Sequence, residues 1–249
     1  MTDQWRFTAL EFDVLWRHLG RDRLPYPMRF RGEAATEDDF QQQRRAAARR
    51  VLPRLDEALH AALSALASPI VRVEVCGFHG RGLESTVRAH AGVSGERAAL
   101  ARQDQGADLD DGGDVVLSAV PAGRVAARIA AVLPSARRGT GRGVASAISR
   151  RRSGADGSLM LPAARLGHEE ACDEFFARPR TGLGEIGVFA GPALDWRPTA
   201  EGRVVQWMDF EDDGRYLVGG TDAVSAVPAG GDEIASEVGR LIGLTRGEA

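Results

Sequence analysis

The sequence predicts an α+β fold with pseudo-two-fold symmetry, in which two related halves each supply an antiparallel strand set and flanking helices. Three observations predict it. The hexapeptide SAVPAG occurs twice, at residues 118–123 and again at 225–230. Around each copy the elements come in one order: helix, strand, hairpin, a strand ending in the hexapeptide, then a helix. The helix after each copy places apolar residues at i, i+4 and i+7, as Val125, Ile129 and Val132 in the first and Ile234, Val238 and Leu241 in the second. Together these match an internal duplication. Proline ends each repeated strand by removing a donor, and glycine frees the turn into the helix. The repeat therefore describes shape rather than chemistry.

The elements follow in chain order. WRFTAL, residues 5–10, reads as a short strand, and EFDVLWRHLG, residues 11–20, as a helix with Phe12, Leu15, Trp16 and Leu19 on one face. Thr8 and Glu11 have capping-box spacing at its start, and Gly20 is its stop. The two prolines of RLPYPM, residues 23–28, make an extended connector. Thr36 to Leu66 is helical in pattern, and Pro53 divides it into two helices or kinks it. IVRVEVCGF, residues 70–78, alternates as a strand, and TVRAHAGV with ERAALARQ forms a hairpin about Ser94-Gly95. An acidic loop, DQGADLDDGGD, leads into the first repeat. In the second half a helix over 167–177 precedes a strand over 185–191 and the hairpin VVQWMDF-EDDG-RYLVG. Residues 134–158, rich in Arg, Gly and Ser, read as a mobile loop joining halves of about 1–133 and 159–249 in one 249-residue domain.

Composition excludes several function classes. With 43% hydrophobic and 27% charged residues the chain can bury a full core, and its net charge of -3 creates no field that would attract nucleic acid or an anionic membrane. No run approaches the ~20 apolar residues of a membrane span, and MTDQWRF lacks the pattern of a signal peptide, so a cytoplasmic location is expected. Cys76 and Cys172 stand far apart in no paired motif, as free thiols do. All the basic side chains are Arg or His.

The motifs that could carry chemistry fail on context. Gly182, Gly184 and Gly187 of TGLGEIG have GxGxxG spacing, but a helix precedes them and a strand follows, the reverse of a dinucleotide site, so they read as a turn. DFEDDG and DLDDGGD start like calcium loops but have Gly220 and Ala119 where a bidentate Glu is needed. Cys76 and His79 have no second ligand pair. No catalytic, cofactor-binding or metal-binding residues are expected. The run Arg137, Arg138, Arg142, Arg150, Arg151 and Arg152 supports an alternative reading as an adaptor for nucleic acid or an acidic partner, but no aromatic residue interleaves with it to stack bases. On the strand 204–210, Val205, Trp207 and Asp209 share one face, while Val204, Gln206, Met208 and Phe210 share the other. Large residues on both faces favour protein contact.

The opening WRFTALEFDVLWRHLGRDRLPYPMRFR resembles the N-terminal signature of the EspG family, cytosolic chaperones associated with ESX, or type VII, secretion in actinobacteria. Trp5, Glu11, Phe12, Leu15, Trp16, Leu24, Pro25 and Pro27 carry the resemblance, and DVVLSAVPAG and PRTGLGEIGVFA are similar to later family patterns. The resemblance implies a central antiparallel sheet with two helical bundles. It also implies binding rather than catalysis, no cofactor, and a secreted helical-hairpin partner, the PPE member of a PE-PPE pair, held by its hydrophobic tip. The family's contact surface is implied to lie on the sheet and the C-terminal bundle. The candidate contacts, placed there by geometry, are Val205, Trp207, Asp209 and Tyr216 on the second hairpin and Arg97 and Gln103 on the first.

Overall fold

The structure, a computed structural model, describes residues 3–147, 171–193, 202–220 and 223–247. Alternating β-branched and small residues build its strands: β1 (Gln4–Phe7), β2 (Val71–His79), β3 (Ser85–Ser94), β4 (Arg97–Gln105), β5 (Gly112–Pro121), β6 (Val144–Ala147), β7 (Arg180–Ala190), β8 (Arg203–Phe210), β9 (Gly214–Gly219) and β10 (Ala223–Pro228). Among the described residues they form one ten-stranded antiparallel sheet in the order β1-β5-β4-β3-β2-β7-β8-β9-β10-β6. Each half is a four-strand meander with a short edge strand beside its last member, and the halves meet where β2 pairs with β7, from Val71 opposite Ala190 to His79 opposite Gly182.

The repeated hexapeptides occupy equivalent places. Ser118 faces Leu100 on one side and Gln4 on the other, and Pro121 faces Arg97; Ser225 faces Gly219 and Ala145, and Pro228 faces Tyr216. Following these registers inward from both edges leads to a single pair, Glu74 opposite Gly187, through which the approximate dyad passes. The edge strand β6 lies inside the stretch expected to be a mobile joining loop. Its backbone pairs with β10, and the residues before it are captured by the β8–β9 turn. Arg137 donates to the Asp213 and Asp212 carbonyls at 2.6 and 2.9 Å, and Thr140 donates from its amide and hydroxyl to the Asp213 carboxylate at 2.7 and 2.8 Å. The Tyr216 hydroxyl, which donates to the same carboxylate at 2.5 Å, together with Thr140 and Arg178 holds Asp213 well below the usual carboxylate range. Low hydrophobicity concealed this anchoring, which is made of hydrogen bonds. Residues 148–158 of that stretch lie outside the described residues.

The helices follow their sequence signals. In α1 (Ala9–His18) the capping box is formed, the Glu11 amide donating to the Thr8 hydroxyl at 3.2 Å and the Thr8 amide to the Glu11 carboxylate at 3.1 Å. Gly20 follows in the left-handed region at φ 77°. Pro53 breaks the long helical pattern into α2 (Glu37–Val51) and α3 (Glu57–Ala67), separated by a 3-10 turn and capped by Thr36 and Asp56. The first repeat leads into α4 (Val125–Ala130) and the second into α6 (Gly231–Arg246), while α5 is described over residues 171–177 and the start of that expected helix lies outside the described residues. The β3–β4 turn is Gly95-Glu96, one residue later than expected, with Gly95 at φ 59°.

Two helical layers cover the sheet. On one face α4 and α6 pack on each other across the dyad, burying Val125, Ile129, Ile234, Val238 and Leu241 against Val73, Val75, Ala89, Ile186, Val188, Val205 and Trp207. Each such fully buried aliphatic side chain contributes about 1.5–3 kcal/mol. On the opposite face α1 and α3 pack on β3, β4 and β5 through Phe12, Leu15, Leu59, Leu63, Ala99 and Leu117, with α2 packed on α1, and α5 packs on β8–β10 through Phe175, Phe210, Tyr216 and Ala226. The glycines of TGLGEIG form no turn: they lie within β7. Gly184 and its cross-strand neighbour Gly77 leave the space in which the Trp207 indole lies flat, and Gly187 lies beneath the Phe189 ring.

Gly92 sets how closely α3 approaches the sheet, because a Cβ there would overlap the Ala65 carbonyl and the Leu66 backbone. Gly92→Ala is expected to destabilise the protein by about 2 kcal/mol, read as a lower urea midpoint at unchanged slope.

Candidate partner-binding site

The structure commits five of the six sequence-derived contact residues to the protein's own interior. Val205 and Trp207 face α4 and α6 and are buried. Asp209 is buried in a two-pronged ion pair with Arg215 at 2.6 and 2.7 Å. Tyr216 is wholly buried beneath Phe175 and bonded to Asp213. Gln103 is buried and acts as a substitute backbone for the 23–31 connector, accepting from the Arg29 amide at 2.8 Å and donating to the Arg29 carbonyl at 2.6 Å. Arg97 alone is exposed, at the start of β4. Side chains along β8 alternate as expected, with Val205 and Trp207 on the face covered by α4 and α6 and Val204, Gln206 and Met208 on the other. The glycines that seat Trp207 are remote in sequence, so only the pairing register reveals which face is flat enough to hold the indole.

The open face of β8 carries Val204, 47% exposed, with Gln206 and Met208. Across the sheet Gln206 and Met208 belong to two rows, Cys76–Glu185–Gln206 and Phe78–Leu183–Met208. The rows floor a groove of about 270 Å³ with Tyr26 as one wall. The connector brings Tyr26 there because Trp16 Nε1 donates to the Arg23 carbonyl at 2.7 Å, Leu24 and Met28 are buried, and Gln103 holds Arg29. Phe78 is 38% exposed, an aromatic ring left open in the middle of a covered sheet. Burial pushes the Cys76 thiol up despite its contact with Tyr26, and burial together with Cys76 holds the Tyr26 phenol well above its usual range. Both groups are therefore protonated at neutral pH and the groove has no thiolate nucleophile. Among the described residues no three His, Cys, Asp or Glu side chains are placed to hold a metal ion.

On the other side of the dyad the same face is closed. Arg72 pairs with Glu74 at 2.8 Å, stacks on the Phe189 ring at 4.6 Å, and donates to the carbonyls of Ala190, Gly191 and Pro192. Opposite Glu74 on β3, His90 is fully buried, its Nδ1 donating to the Tyr26 carbonyl at 2.9 Å. It ties the groove wall to the sheet. Burial, aided by the Arg72 charge, lowers its pKa to about 4.

The family model described as the EspG family matches residues 8–240. The chain belongs to the EspG family. Among solved structures, this EspG-family chain is similar to the Mycobacterium tuberculosis type VII secretion system chaperone EspG5, solved in complex with a PE25-PPE41 dimer. The TM-score is 0.56 at 13% identity, over 97% of this chain and 96% of that one, a likeness of fold. The mixed α+β architecture around a large antiparallel sheet, expected from the sequence, is thus the family's. No curated protein matches the sequence.

The His90 imidazole makes the fold acid-sensitive. Its folded pKa lies below the unfolded value of 6.5, so the unfolded chain takes up the proton first and stability is lost as pH falls from about 6.5 to about 4. Between about pH 7 and about pH 5 this amounts to about 2 kcal/mol, and His90→Gln is expected to remove that share of the acid loss in urea unfolding curves.

Proposed function

We propose that this EspG-family chain is a cytosolic chaperone for a type VII secretion substrate, holding the apolar tip of a PE-PPE-like helical pair in the groove over β2, β7 and β8. The observation that carries the reading is the groove itself: Phe78, Leu183 and Met208 form an apolar row on an otherwise covered sheet, flanked by helices on the same face. Each Å² of apolar tip and floor removed from water contributes about 25 cal/mol before association costs, so an aggregation-prone tip gains solubility by docking there. The PE25-PPE41 dimer bound to the similar EspG5 supports a partner of this class. The protonated Cys76 and Tyr26 favour binding over catalysis. No described helix is long and apolar enough to cross a membrane.

The alternative reading, an adaptor acting through 137–152, loses support at its start. Arg137 is committed to the β8–β9 turn and Arg138 to Glu233 at 2.9 Å. Arg150, Arg151 and Arg152 lie outside the described residues.

Co-expression with the PE-PPE pairs of the same genome, followed by size-exclusion chromatography, is expected to show one pair co-eluting in a stoichiometric complex. Met208→Glu should abolish co-elution, because a charge would be buried under the tip. Val227→Glu, at an exposed position on the opposite face, should leave it intact. Co-elution with none of the pairs would overturn the proposal.

A further inference from the structure

We infer that Glu185 selects the partner's charge: the groove takes a helical tip that presents an Arg or Lys side chain among its apolar residues. The inference rests on the groove reading above and names the chemistry of its occupant. It starts from a broken symmetry. Arg72 and Glu185 are dyad mates, each two residues ahead of a member of the central pair Glu74–Gly187. Arg72 finds its counter-ion in Glu74. At the mate position Gly187 has no side chain to offer, and the Phe189 ring lies over it. Among the described residues, therefore, no hydrogen bond or ion pair holds the Glu185 carboxylate.

The neighbouring groups do not compensate. In the same cross-strand row Arg88 gives its guanidinium to the carbonyls of Leu109 and Asp111. Tyr26 and Cys76, which flank Glu185, are neutral. The groove floor thus carries one unpaired negative charge beside Phe78, Leu183 and Met208. Glu185 is partly exposed in the open groove, so water still reaches it. Once an apolar tip seals the groove it would be desolvated without a partner, a cost that association must overcome. A purely hydrophobic tip is opposed by this residue, whereas a tip carrying a guanidinium or ammonium is favoured by it.

The test uses the PE-PPE pair that co-elutes with the full chain, titrated calorimetrically against wild type, Glu185→Gln and Met208→Glu. Thermal melts check that each variant is folded. Glu185→Gln is expected to bind about fivefold more weakly at about 50 mM salt and to lose the salt dependence that wild type shows up to about 500 mM. Glu185→Arg should recover affinity when a basic residue on the partner's tip is changed to Glu. Glu185→Gln binding as tightly as wild type, or more tightly as an uncharged tip requires, overturns the inference while leaving the groove in place if Met208→Glu still abolishes binding. Unchanged binding by folded Met208→Glu would overturn the groove reading and this inference together.

Discussion

The β2–β7 ladder is the contact on which the rest of the structure depends. It merges two five-strand sheets into one, and α6 packs on both of its strands while meeting α4, which lies on β3 and β4. The halves are therefore joined in the sheet and in the layer above it. Because side chains alternate strictly along a strand, the register of this ladder also decides what faces where. A slip of β2 by one residue would turn Val73 and Val75 away from α4 and α6 and bring Arg72 and Glu74 beneath them.

Within this shared plan the two halves diverge where the open face needs them to differ. Gly92, which admits α3, is replaced at its dyad mate by Gln206, and His90, which fastens the connector, by Val204. Glu74 is matched by Gly187. The first half therefore covers its central strands with its own chain, while the second leaves a strip of β7 and β8 uncovered by the described helices. An uncovered strip arises here by omission: backbone geometry is duplicated and only a few side chains are changed.

Much of the fold was legible in the sequence because its signals are local. The Thr8–Glu11 box, the break at Pro53, the β8–β9 hairpin and the twin SAVPAG strands each depend on residues a few positions apart. The elements that escaped depend on partners far along the chain. The edge strand β6 is four residues of small and β-branched character whose identity comes from β10, and the β7 glycines resemble a turn until Trp207 is known to lie across them. The β8 residues expected as contacts, Val205 and Trp207, lie on the face covered by α4 and α6, which only the packing of those helices reveals. The groove's Tyr26 wall was out of reach altogether, since that residue arrives through hydrogen bonds from His90, Gln103 and Trp16 to an irregular connector.

Among the described residues the sheet ends in two outer strands, and both are brief. The outer strands β1 and β6 span four residues each. On β1 the Arg54 guanidinium reaches the Arg6 carbonyl, and Arg6 itself is bound to Asp104 and Asp114. Such truncated, charge-bearing borders give a neighbouring molecule little ladder to extend. The sheet is thereby guarded against stacking end to end with copies of itself, and the strip that the described helices leave uncovered lies in its middle rather than at a rim.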